Sequence, residues 1–193
     1  MFGFGKKKKE QFTTLTHPKL GELKRVCGNI WHPLSNTTIV LWDRPYEISV
    51  TFLVEDGDEQ GPNEKHAKAW DSFNDIIVTR RHSIEKTILK YMECADGEGA
   101  GDRFIPRDVE FSRKGECGLY FEDTEEGVDY DSDTNTGFAV FLIPKLLFTY
   151  SEFCTDCLWG SEDTERYFLS PDFRGDYADE YEDISEKFYR EQE

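Results

Sequence analysis

The sequence has no long apolar run. Nowhere in its 193 residues do about 18 apolar side chains follow one another, which excludes a helix that spans a bilayer. Four lysines, Lys6 to Lys9, lie near the start, but no apolar region follows them, so a secretory signal is not predicted. We therefore expect a cytoplasmic protein without membrane contact.

The short motifs of common catalytic sites are also missing. The sequence contains no G-x-S-x-G, Walker or Rossmann fingerprint and no H-E-x-x-H. The histidines His17, His32, His66 and His82 form no evident arrangement with a nucleophile, and two of them precede prolines in predicted turns. The sequence assigns no catalytic residue and no cofactor, and we expect a protein that is not an enzyme.

Cysteine is sparse, and its pattern does not complete a metal site. Five cysteines in a chain without an export signal indicate reduced thiols rather than a disulfide framework. Cys154 and Cys157 have the C-x-x-C spacing of zinc ligands or of a redox pair, but a structural zinc site needs four ligands. No second pair of suitable spacing accompanies them, so unligated thiols are the favoured interpretation and zinc or redox chemistry stays an alternative.

A run of alternating acids resembles the start of a calcium loop without completing it. Asp129, Asp131, Asp133 and Asn135 recur at every second position. An EF-hand needs Gly at the sixth position and Glu at the twelfth, and neither is present when the loop is counted from Asp129 or from Asp131. The run is therefore predicted to be a solvated hairpin loop, and weak capture of a cation is the alternative.

Basic residues become rare after residue 115. Residues 1–115 hold 18 Asp and Glu against 18 Lys and Arg, whereas residues 116–193 hold 22 against 5, so the net charge of -17 arises in the second part. Eight acidic residues and no basic one lie between Glu116 and Asp133. Catalytic carboxylates usually form a defined pair with one member desolvated, whereas these lie in a predicted polar loop. Because crowded like charges repel, the asymmetry indicates a basic partner.

Aromatic residues, at 15% of the chain, offset a modest aliphatic content and predict a folded domain. Three early runs are predicted strands: Gly21 to Trp31, Thr37 to Trp42 and Tyr46 to Val54. The third run alternates strictly, which places the side chains of Ile48, Val50, Phe52 and Val54 on one face. These runs predict an antiparallel meander with one face buried.

Two helical stretches follow a polar loop. Asn63 is a candidate N-cap, and apolar residues then recur at spacings of three and four. This first face comprises Ala67, Trp70, Phe73 and Ile77. A second stretch follows Arg81, with Ser83 as its candidate cap. Together they predict a helical hairpin or one broken helix.

Strands then return, which gives an α+β fold. The predicted strands are Val109 to Ser112, Gly118 to Glu122, Gly137 to Ile143 and Leu146 to Ser151. We expect an antiparallel sheet of about six to seven strands with the helices packed on one face. We divide the chain into a basic N-terminal arm (1–16), a single α+β domain (17–170) and an acidic C-terminal helix (171–193).

The predicted C-terminal helix carries an apolar stripe within a charged segment. Tyr177, Tyr181, Ile184 and Phe188 fall at i, i+4, i+7 and i+11, the spacing of one face of an amphipathic helix. Packing on its own domain is the favoured interpretation of this stripe, and docking to a partner is the alternative.

The sequence contains several short aromatic motifs: Gly21-Glu-Leu, Trp31, the strand pair around Trp42 and Ile48 to Val54, Ala69-Trp70 with Phe73, Gly118-Leu-Tyr-Phe-Glu-Asp and Gly137-Phe-Ala-Val. Together these motifs resemble a bacterial family of uncharacterised small acidic domains. The resemblance covers residues 17 to 160. Members of such families often lie beside polymorphic toxins, so the resemblance implies an immunity-like binding role without a known catalytic residue.

These observations lead to one favoured function and two alternatives. The favoured function is a non-catalytic intracellular binding protein, most concretely an immunity-type inhibitor of a basic toxin such as a nuclease. The acidic loop, Glu122 to Asp133, would provide the steering charge. The predicted partner-binding residues are Glu122, Asp123, Glu125, Glu126, Asp129, Tyr130, Asp131, Asp133, Tyr177 and Tyr181, with Tyr120 as a further anchor. The alternatives are a phage-type acidic mimic of nucleic acid, and an enzyme that uses carboxylates or the Cys154/Cys157 pair.

Overall fold

The structure is a computed structural model that describes residues 13–55, 60–92, 94, 97, 99–125, 137–143 and 146–151. These residues form nine strands and three helices. In chain order they are β1 (Thr14–His17), β2 (Gly21–Cys27), β3 (Ile30–Pro33), β4 (Thr37–Leu41), β5 (Arg44–Leu53), α1 (Glu64–Thr79), α2 (Arg81–Tyr91), α3 (Ala100–Arg103), β6 (Phe104–Phe111), β7 (Cys117–Asp123), β8 (Gly137–Ile143) and β9 (Leu147–Ser151). The expected α+β class is confirmed, and the described strands exceed the predicted six to seven.

One sheet contains all nine described strands. Its order is β1-β2-β3-β5-β6-β7-β8-β9, and β4 pairs with the first half of β5. Every pair is antiparallel except β5 with β6, which is parallel. The chain leaves β5, passes through the three helices and returns as β6, and a parallel pair requires a crossover of this length.

The helices pack on the sheet face that the strict alternation in β5 predicts. Ile48, Val50, Phe52 and Val54 are all buried there. The ring of Phe52 stacks on Phe111 of β6 at 5.0 Å between centroids, and Phe111 meets Phe73 of α1 edge-on at 5.8 Å. This aromatic layer joins the parallel strand pair to α1, and we call this side of the sheet the helix face.

The two long helices form one broken helix. Asn63 caps α1 as predicted, because its side chain accepts a hydrogen bond from the Lys65 N–H. The single residue Arg80 ends α1 and begins α2, so Ser83 lies inside α2 rather than at its cap. Among the described residues, none of the helices is both long enough and apolar enough to cross a membrane.

The first strand extends beyond the predicted start of the domain. β1 begins at Thr14, inside the segment assigned to the N-terminal arm (1–16), and pairs with β2. The predicted C-terminal helix (171–193), with Tyr177 and Tyr181, lies outside the residues that the structure describes.

Candidate functional site

The acidic loop begins at the end of β7, and the last residue of this strand has a buried carboxylate. Asp123 ends β7 and is fully buried. Arg103 holds it with two parallel bonds, Nε to Oδ1 at 2.8 Å and Nη2 to Oδ2 at 2.7 Å. The same Asp123 carboxylate accepts the Glu125 backbone N–H at 3.1 Å. A bidentate pair of this kind fixes the direction in which the chain leaves the sheet.

The next acids in space are also paired within the chain. Arg103 extends its third nitrogen, Nη1, to Glu125 Oε2 at 2.8 Å, and Arg107 Nε donates to Glu122 at 2.6 Å. Asp123 is the main cause that raises the pKa of Arg103, which keeps the guanidinium charged. Glu122, Asp123 and Glu125 are therefore each paired with one of two arginines, which leaves one net negative charge among the five groups, and Glu125 keeps an exposed side chain.

The remaining acids of the loop lie in the segment 126–136, whose two ends are brought together by the sheet. Glu122 of β7 pairs with Gly137 of β8, so the segment connects neighbouring strand ends. No Lys or Arg occurs in the sequence between Lys114 and Lys145. The predicted site residues outside the described part of the chain are Glu126, Asp129, Tyr130, Asp131, Asp133, Tyr177 and Tyr181, together with Cys154 and Cys157.

A polar cluster that sequence reasoning missed lies on the sheet side opposite the helices, which we call the second face. Ser49 Oγ donates to Asp108 Oδ1 at 2.7 Å, and Thr51 Oγ1 lies 3.3 Å from the same oxygen. His32 Nε2 lies 3.5 Å from Thr51 Oγ1. The signal was available: Ser49 and Thr51 alternate with the core residues of β5, and Asp108 alternates with those of β6.

Burial sets the charge state of this cluster. It raises the pKa of Asp108, an effect that the Ser49 hydroxyl and the His32 ring partly oppose. It also lowers the pKa of His32, which favours the neutral form of the ring. A carboxyl group with a raised pKa can hold a proton and share it with the neighbouring hydroxyl groups.

The strand registers also place apolar residues on the second face. Across the sheet, Glu110 pairs with Gly118 and Gly118 with Phe141, and in the next row Tyr120 pairs with Ala139. Phe141 and Ala139 belong to a separate buried cluster together with Leu53, packed against Ile30 and Tyr120. Tyr120, predicted as a partner anchor, is thus part of this face.

The described cysteines are free thiols in three different environments. Cys27 is exposed, Cys94 is half-buried and Cys117 is buried. Burial raises the pKa of Cys117 well above its ordinary value, which makes this thiol unreactive. Among the residues that the structure describes, no group of three or more His, Cys, Asp or Glu side chains is placed to hold a metal ion.

Comparison with known proteins adds no family to this description. No protein-family model, no curated protein and no solved structure matches the chain. The immunity-like resemblance of its short aromatic motifs accordingly stays a prediction.

Proposed function

We propose that this chain is a non-catalytic binding protein that recognises a basic protein through the acidic loop. The observation that carries the proposal is the pairing of the acids at the end of β7. Arg103 and Arg107 already form ion pairs with Glu122, Asp123 and Glu125. The four acids that follow, Glu126, Asp129, Asp131 and Asp133, have no basic residue near them in the sequence.

The sheet holds both ends of the acidic loop in place. Because the loop leaves β7 from a buried ion pair and returns to the adjacent β8, both of its ends are anchored to the core. Concentrated like charge on a short anchored loop repels itself, and a cationic surface relieves that repulsion on binding. Such complementarity mainly accelerates association and selects the partner.

The residues of the acidic loop divide into two roles under this proposal. Asp123 and Glu122 position the loop through their arginines. Glu125, Glu126, Asp129, Asp131 and Asp133 face the partner, and Tyr130 provides an aromatic anchor between them. In the more specific form of the proposal the partner is a basic toxin, such as a nuclease, whose cationic active surface the loop covers.

The test compares two variants that carry the same charge. Tagged wild-type protein, a loop variant (D129N, D131N and D133N) and a control variant (E22Q, E47Q and D75N) are used to capture proteins from the cells that encode the chain. The three control positions are exposed and lie on β2, β5 and α1. We expect one basic protein to bind wild type and control alike and to be lost from the loop variant.

Binding kinetics with the captured protein then test the mechanism. Because the Debye length falls from about 30 Å at 0.01 M salt to about 10 Å at 0.1 M, the association rate of wild type should fall steeply over this range. The slope should be shallower for the loop variant than for the control. Equal capture by all three proteins, with equal salt slopes, would refute the proposal.

A further inference from the structure

We infer that the C-terminal segment, residues 152–193, packs against the second face of the sheet through its apolar stripe. This inference concerns the chain itself and does not depend on whether the acidic loop binds a basic protein. The interaction surface lies around Gly118, Ala139 and Phe141, and residues 152–193 are its occupant.

The burial of the second face is the first argument. Ala139 is fully buried, and Leu53 and Phe141 are each 3% exposed. A phenylalanine on an open sheet face keeps much of its ring in water, because flanking strands cover only its edges. All the buried apolar helix residues, such as Phe73, Ile77 and Ile88, belong to the cluster on the helix face. In the described chain, no helix contributes to the cluster of Leu53, Ala139 and Phe141.

The shape of this face is the second argument. Gly118 lies between Glu110 and Phe141 in one cross-strand row, and Ala139 lies beside Tyr120 in the next. Gly118 and Ala139 project less far from the sheet than Glu110, Tyr120 and Phe141, so their size and register predict a hollow between the larger side chains. An aromatic or branched side chain from another segment fits such a hollow, and interdigitation of this kind is how sheet faces are covered.

The path of the chain selects the occupant. β9 pairs with β8 and ends at Ser151, so the segment 152–193 starts beside the strand that carries Ala139 and Phe141. The N-terminal arm instead joins β1, at the opposite end of the strand order. The C-terminal segment carries the stripe Tyr177, Tyr181, Ile184 and Phe188, which needs an apolar surface to pack against.

This packing has a consequence for the charged residues of the segment. With the stripe inward, Asp179, Asp183 and Glu186 fall on the opposite side of the helix, toward solvent. Tyr177 and Tyr181 then serve as internal contacts rather than as partner anchors. The segment covers the second face and displays its acids outward.

The experiment uses the full chain with a reporter substitution, Ala139→Cys, as the parent protein. Alkylation of the introduced thiol is followed by mass spectrometry, with native Cys117 as an internal reference because it is buried on the helix face. The stripe variant adds Y181S and F188S. The matched control adds D179S and E186S, which place the same new residue twice on the opposite side of the predicted helix.

We expect the alkylation rate of the reporter thiol, divided by that of Cys117, to rise at least tenfold in the stripe variant. In the control this ratio should stay within twofold of the parent. An unchanged ratio in the stripe variant would overturn the inference. So would a reporter rate that falls as protein concentration rises, because it would assign the cover to a second copy of the chain.

Discussion

Neighbouring acids at the end of β7 have different roles because alternate residues of a strand lie on opposite faces. Leu119, Phe121 and Asp123 share the helix face, whereas Glu122 lies on the second face. Asp123 is therefore buried, and Arg103 is the cation that makes its burial tolerable. Composition groups Glu122 and Asp123 into one acidic run. The alternation of side chains along a strand assigns them to opposite faces of the sheet.

Asp108 shows the energetic cost of a half-buried carboxylate without a paired arginine. Its pKa is raised by burial, so the folded state favours the protonated form more than the unfolded state does. Unfolding is therefore favoured as pH rises from the ordinary pKa of 3.8 to the raised folded value. Above that value the destabilisation is complete, and below 3.8 it is absent.

We therefore predict that D108N is more stable than wild type at pH 7. Asparagine keeps an oxygen that accepts from Ser49 and Thr51, but it carries no charge to desolvate. Urea unfolding at a series of pH values should show the advantage at neutral pH and its loss below pH 4. D75N, an exposed position on α1, is the control and should differ little from wild type. A D108N protein that is less stable than wild type at pH 7 would contradict this interpretation of the cluster.

At the scale of elements, local patterns predicted most of the fold. β8 has the predicted bounds, β7 is one residue longer than predicted at each end, and β9 begins one residue later than predicted. The run Gly21 to Trp31 instead contains two strands, because Gly28 adopts a positive φ of 42° and reverses the chain. The turn that joins β4 to β5 as a hairpin lies at Trp42 and Asp43, which both have positive φ.

The parallel pairing of β5 with β6 could not be deduced from those patterns. The alternation of apolar and polar residues specifies which face of a strand is buried. The pattern is the same whether the neighbouring strand runs parallel or antiparallel. The long helical crossover between β5 and β6 permits a parallel pair but does not require one. For the same reason the second-face cluster was missed: His32, Ser49 and Asp108 lie on three strands whose order only the fold determines.

The N-terminus of α1 allows a test of one predicted signal. Asn63 accepts from Lys65 N–H, and the ring of His66 accepts from the Asn63 N–H while its Nε2 donates to the Leu53 carbonyl at 2.8 Å. We predict that N63A lowers the free energy of unfolding by about 1 kcal/mol. N74A, an exposed position within the same helix, should instead raise it by up to about 0.5 kcal/mol, because alanine has the higher helix propensity.

Chemical denaturation of both variants measures this difference. Opposite signs for the same substitution identify the cap as the cause, since both variants lose an amide side chain but only Asn63 accepts from a backbone N–H at the start of the helix. Equal effects at the two positions would show that the hydrogen bonds around Asn63 do not stabilise α1.

At the scale of the whole molecule, the described residues form several surface ion pairs, whereas the excess negative charge lies in other segments of the chain. Lys19, Arg44 and Arg81 each pair with carboxylates on the surface of the domain. Residues 126–136 contain four acids and no basic residue, and residues 152–193 contain 14 acids against four basic residues. Most of the net charge of -17 therefore belongs to these two segments, and net charge of one sign opposes compactness.

We predict that salt stabilises this protein. Raising sodium chloride from about 0.01 M to about 0.3 M screens repulsion among the excess acids, whereas the exposed ion pairs that it weakens contribute little. The expected rise in Tm is roughly 2–4 °C, which corresponds to about 1 kcal/mol for a chain of this size. Scanning calorimetry at pH 7 measures it.

The two triple variants locate the repulsion. The loop variant (D129N, D131N and D133N) and the control variant (E22Q, E47Q and D75N) have the same net charge, so a uniform charge effect would reduce their salt response equally. If the repulsion is local to the acidic loop, the loop variant alone should be more stable than wild type at low salt and respond less to added salt. If the control variant gains as much stability at low salt, the repulsion is spread over the whole surface. A basic partner that binds the acidic loop would then relieve no repulsion particular to that loop.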